Sequence, residues 1–131
     1  VDVMKGLCRG PVQWGESDCL IVAADALKPV IGVDIAGRYR GRYATPRECV
    51  EYISSLGFSS IAEAVGAEAL ALGWQQIDPT EAVPGDAGVV AVRDRQACAM
   101  LHHSGFWIAR SRHGFAALPQ ASAICAFRIV I

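Results

Sequence analysis

The stretch Trp14-Gly15-Glu16-Ser17-Asp18-Cys19-Leu20-Ile21-Val22-Ala23-Ala24 constrains the fold more than any other part of the chain. A polar turn runs straight into an apolar helix. Ser17 reads as the N-cap, because its hydroxyl accepts from the unpaired backbone N–H groups that open a helix. Asp18 adds a favourable negative charge at the same end. Cys19 then falls among those N–H groups at the positive end of the helix dipole, a setting that lowers a thiol's pKa. From Leu20 to Leu27 only Asp25 is polar, so the helix is expected to be buried nearly all round. A reactive thiol at the mouth of a buried helix suits a nucleophile. The competing reading is that Cys19 is a small core residue, the commoner fate of a free cysteine.

At 131 residues the chain suits one domain, spanning residues 1–131, with room for a proper core. A net charge of −1 gives no support to nucleic-acid binding through bulk charge. No run of about 18 apolar residues occurs, so no membrane span is expected. The start, Val1-Asp2-Val3-Met4-Lys5, lacks the pattern of a secretory signal. The five cysteines, Cys8, Cys19, Cys49, Cys98 and Cys125, are odd in number and widely spaced, which argues against a disulfide framework. Without a Cys-x-x-Cys pair no zinc site is expected, and no cofactor is implied. Cys8, Cys49, Cys98 and Cys125 read as apolar fillers.

Along the chain, residues 1–9 suggest a short helix ended by Gly10-Pro11. The helix led by Ser17 is expected to stop at Lys28, before Pro29. Residues 29–44 read as a loop, whose Arg and Tyr side chains between 38 and 43 would lie across the surface. Thr45-Pro46-Arg47-Glu48 is a helix start, running to Leu56 and Gly57. Ser59 or Ser60 opens another helix, which Gly73 stops. Short strands follow: Trp74 to Ile77, Gly88 to Val92 (the central one), residues 98–109 in one or two pieces, Phe115 to Leu118, and Ile124 to Ile131. Arg93 to Gln96 is read as a polar turn between two of them. Helices first and an antiparallel sheet after them make an α+β fold.

A cysteine nucleophile needs a base within hydrogen-bond reach and usually a third group to orient it. Three histidines are available: His102, His103 and His113. If His102 and His103 lie in a strand, they point to opposite faces, and spacing alone does not choose between them.

Three landmarks occur in order: Trp14-Gly15-x-x-Asp18-Cys19, then Pro84-Gly85-Asp86 before an apolar strand, then His103-x-Gly105-Phe106-Trp107. In this the chain resembles the NlpC-type cell-wall cysteine peptidases, a papain-like superfamily, and above all the small phage and gene-transfer-agent tail peptidases. Ala126-Phe127-Arg128-Ile129 matches the strand on which those short chains often end. The resemblance covers most of the chain and is dense only at the landmarks. It implies a papain-like core in which the Cys-bearing helix packs on an antiparallel sheet, with extra helices inserted between. It makes Cys19 the nucleophile and His103 the base, and Asp86 a turn residue fixing the strand entrance. A cell-wall peptide is the implied substrate, phage-like tail proteins the implied partners, and a virion tail, or the bacterial cytoplasm before assembly, the implied place.

Two departures stand out. The residues before Trp14 lack the tyrosine often found there; Gln13 offers an amide as an oxyanion donor or is a surface glutamine. The strand after the base is apolar, so the third member is His113, a backbone carbonyl or water, or missing. Two functions therefore compete: a thiol hydrolase using Cys19 and His103, and a degenerate peptidase fold serving as a structural part of a tail tip.

Overall fold

The computed structural model describes residues 2–130; Val1, and Ile131 with which the last strand was expected to end, lie outside the described residues. Helices α1 (Asp2–Leu7), α2 (Cys19–Ile31), α3 (Pro46–Ser55) and α4 (Ile61–Ala71) come first. Strands β1 (Gln75–Ile77), β2 (Ala87–Val92), β3 (Arg95–Leu101), β4 (Trp107–Arg110), β5 (Phe115–Leu118) and β6 (Ala123–Arg128) follow. They form one six-stranded sheet in the order β1-β6-β2-β3-β4-β5, with every pairing antiparallel. The fold is α+β, helices then sheet, and β2 is interior, as the sequence predicts. Among the described residues no helix is long and apolar enough to cross a membrane.

Helix α2 lies between two layers. Cys19, Val22, Ala23 and Leu27 pack towards the sheet with Cys98, Met100, Ile108 and Phe127. Ile21 and Ala24 pack the other way, against Tyr39, Tyr43, Cys49 and Ile53. Burying Ile21, Val22 and Leu27 contributes about 1.5–3 kcal/mol each. The uninterrupted apolar run from Leu20 to Ala24 is what this sandwich requires.

The start of α2 differs from the sequence reading in its cap. Asp18, not Ser17, is the N-cap: its Oδ1 accepts from the N–H of Leu20 at 3.1 Å and of Ile21 at 3.4 Å. Ser17 instead accepts, through Oγ, from the N–H of Gln13 at 2.9 Å. Both residues favour a cap, and a one-residue frame shift is decided by which of them turns inward; Asp18 is buried. Its Oδ2 also accepts from Gly15 N–H at 2.8 Å, and its Oδ1 from the Tyr43 hydroxyl at 3.2 Å. Gly15 has φ +86° and sits so close to the backbone of Tyr43 that an added Cβ would lie 2.2 Å from its carbonyl oxygen. Only glycine fits there.

The helix does not end before Pro29. It continues to Ile31 and closes on Gly32, in the left-handed conformation, whose N–H reaches Lys28 O at 2.9 Å. Pro29 faces solvent, so its missing N–H and its ring disturb no packed contact, and the helical bias against a pre-proline residue is overridden. The other caps follow the sequence: Thr45 Oγ1 accepts from Glu48 N–H at 3.1 Å and Ser60 Oγ from Glu63 N–H at 3.1 Å.

The 38–43 segment divides by residue type. Tyr39 and Tyr43 are core residues, not surface ones. The arginines are engaged: Arg38 pairs with Glu68, and Arg40 bridges Asp34 and Asp25. In the sheet, the β2–β3 ladder extends to Val92↔Arg95, so the turn is only Arg93-Asp94, with Arg93 at φ +57°. The sheet's far face carries a smaller cluster built on Val90, Leu101 and Trp107.

Candidate functional site

Cys19 is the first residue of α2 and is 9% exposed. It faces the middle of β3. The Cys98 thiol donates a hydrogen bond to the Cys19 sulfur, and the backbone N–H groups of Cys98 and Leu20 donate to it as well. The thiol hydrogen bond is the largest influence and holds Cys19 below the ordinary cysteine range, against its burial and the nearby negative charge of Asp18. Cys98 is pushed the other way, well above its ordinary range, because it donates to Cys19 and is itself buried. Cys98 is thus more than the filler expected. Its partner was hidden because the two residues are far apart in sequence and no spacing rule links them.

Arg110 completes this corner. Ala99 pairs with Ala109, so Cys98 and Arg110 are the next residues along that end of the β3–β4 ladder. The Arg110 side chain is buried, and it donates from Nε to Ser17 O at 3.0 Å, from Nη1 to Gly114 O at 3.1 Å and from Nη2 to Arg9 O at 2.9 Å. It ties the turn before α2 to the β4–β5 turn and to the chain after α1. No motif in the sequence marks this contact, because it joins residues far apart along the chain.

A groove of about 640 Å³ opens beside Cys19. Trp14, Asp18 and Cys19 form one side; Arg93, Arg95, Arg110 and Arg112 line much of the rest. No histidine lines it.

The structure places the histidines elsewhere. β3 ends at Leu101, so His102 and His103 lie on the β3–β4 turn and not on a strand. The strand rule that sends neighbours to opposite faces therefore does not apply, and the two rings stack with centroids 3.9 Å apart. His102 is buried, and its Nδ1 lies 2.8 Å from Ser104 Oγ; His103 is exposed. Cys98 is three residues before Leu101, on the order of 10 Å along an extended strand, and the turn lies beyond. The resemblance pairs Cys19 with His103; the structure pairs it with Cys98. His113 sits on the exposed β4–β5 turn, at the other end of β4 from His103. Gln13 is exposed and is not part of the groove wall. Its backbone, not its amide, shapes the site, with its carbonyl accepting from Glu16 and Ser17 N–H at 3.0 and 2.8 Å.

Asp86 has the local role expected of it and one more. Its Oδ2 accepts from Val83 N–H at 2.9 Å, and Arg128 of β6 reaches the same carboxylate at 3.0 Å. Among the described residues no three His, Cys, Asp or Glu side chains gather where a metal ion would be held.

The arrangement supplies a stabilised thiolate at a helix start with a second thiol as its immediate partner.

Fold and site together define an α+β domain with a thiol pair at the N-terminus of its buried helix. The chain belongs to the family described as domain of unknown function DUF6950, whose profile matches residues 2–129. No curated protein and no solved structure matches the chain significantly.

Proposed function

We propose that this chain is a non-hydrolytic relative of the NlpC-type peptidases, a papain-like core that works by contact as a component of a phage-like tail. The order of its sequence landmarks supports the relationship, and with it the tail location and tail-protein partners. The observation that supports a loss of hydrolysis is that the described residues lining the groove beside Cys19 include no histidine, with Cys98 as the hydrogen-bonded neighbour of the thiol. Two unpaired sheet edges, β1 and β5, and an arginine-lined groove provide surfaces for contact.

A second reading has one observation in its favour. The Cys19 thiol is held low by three hydrogen-bond donors, as a nucleophile's would be, and a cell-wall peptide entering the groove would meet it. One assay separates the two. Incubated with purified peptidoglycan sacculi, the wild-type chain is expected to release no more soluble peptide than a blank, with Cys19→Ala and His103→Ala indistinguishable from it. Release by the wild type that either substitution abolishes would restore the hydrolase.

A further inference from the structure

Both Cys19 and Cys98 are free thiols. They sit in one packed cluster, one at the start of α2 and the other on the helix-facing side of β3. Each element is fixed by its own neighbours. Cys98 pairs with Val89 in the β2–β3 ladder, and the turn before Cys19 is held by Asp18 and by Arg110. The two side chains are hydrogen-bonded to each other across this corner, and the elements that carry them are held in place.

Access is unequal. Cys19 lines the groove, whereas Cys98 lies behind it, against the apolar space bounded by Leu20, Ala23, Ala87 and Gly88. The Cys49 thiol is hydrogen-bonded to the Tyr43 side chain, while Cys8 and Cys125 border the same cluster and influence Cys19 and Cys98 through charge rather than through a hydrogen bond.

We propose that Cys19 and Cys98 are a redox site, closing to a reversible disulfide when hydrogen peroxide enters the groove. Cys19 is the attacking sulfur and Cys98 the resolving one. The Cys19 thiolate attacks one peroxide oxygen; an S–O bond forms, the O–O bond breaks, and the departing hydroxide takes a proton to leave as water. The Cys98 sulfur then attacks the Cys19 sulfenic acid. The S–S bond forms, the S–O bond breaks, and the hydroxyl leaves as a second water with the Cys98 proton. Two thiols are oxidised and one peroxide is reduced to two waters. Hydrogen peroxide is small enough to reach the sulfur of Cys19, a residue that is 9% exposed.

The test uses the full chain, equimolar hydrogen peroxide, alkylation under denaturing conditions and peptide mapping without reductant. The expected product is a single linked peptide pair, Cys19 to Cys98, lighter by two hydrogens and released by dithiothreitol, with Cys8, Cys49 and Cys125 alkylated. In Cys98→Ala the sulfenic acid at Cys19 should persist long enough for dimedone to trap it. Fully alkylated Cys19 after peroxide, links scattered over other cysteine pairs, or direct conversion of wild-type Cys19 to the sulfinic acid would each overturn the proposal. Should Cys98→Ala fail to fold, the wild-type map decides alone. The result is independent of the sacculus assay, since neither outcome there alters the linked pair.

Discussion

Gly15→Ala is expected to lower stability by about 4 kcal/mol, a Tm loss on the order of 15 °C for a domain of this size. Two costs add. A non-glycine residue at a φ of +86° is strained whatever surrounds it. The new Cβ would also lie 2.2 Å from Tyr43 O, a backbone atom that cannot swing aside as a flexible side chain does. The turn would have to leave the 41–43 segment, losing the Gly41 N–H to Gly15 O bond of 3.0 Å and loosening Asp18. Thermal unfolding followed by circular dichroism measures the loss. A shift of a degree or two would mean that this turn is not seated on Tyr43 as described.

Asp18→Ala is expected to cost about 3 kcal/mol or more. The carboxylate accepts from the N–H groups of Gly15, Leu20 and Ile21 and from the Tyr43 hydroxyl. Its removal takes away the cap, leaves the Gly15 N–H buried without its acceptor and leaves the Tyr43 hydroxyl with the Cys49 sulfur alone. Asp18→Asn should lose less, because one amide oxygen still accepts, although its NH₂ then meets a donor. Chemical denaturation of the three proteins should rank wild type above Asn above Ala. A surface-like effect from Ala, within half a kcal/mol, would contradict the buried role.

These two residues also show how far the sequence could be read. Apolar period, cap residues and glycine stops placed α3, α4 and most strands, because each of those signals is local. The α+β order followed from them. What failed involved a choice between neighbours or a contact across the fold. Ser17 and Asp18 are both good caps, and only the packing of Tyr43 shows which turns inward. Pro29 would have ended α2 had it faced the core. The stretch 98–109 falls into two strand pieces, one of the two alternatives expected, and its break at His102 leaves the alternation argument for the two histidines no strand to act on. His103, which the resemblance matched by its place two before Gly105, lies on the exposed turn between β3 and β4. Cys98 and Arg110 form the corner that faces Cys19, and neither stands in a motif; their meeting depends on the register of β3 against β4.

The rate at which iodoacetamide alkylates Cys19, followed against pH by peptide mass spectrometry, tests the central claim most directly. Alkylation follows the thiolate, so the midpoint of the profile reports the Cys19 pKa. In the wild type that midpoint should lie below an ordinary cysteine's. Cys98→Ala removes the thiol donor and should move it upward, while His103→Ala and His113→Ala should leave it in place. A midpoint that His103→Ala shifts and Cys98→Ala does not would show that an imidazole, and not a second thiol, is the partner of Cys19.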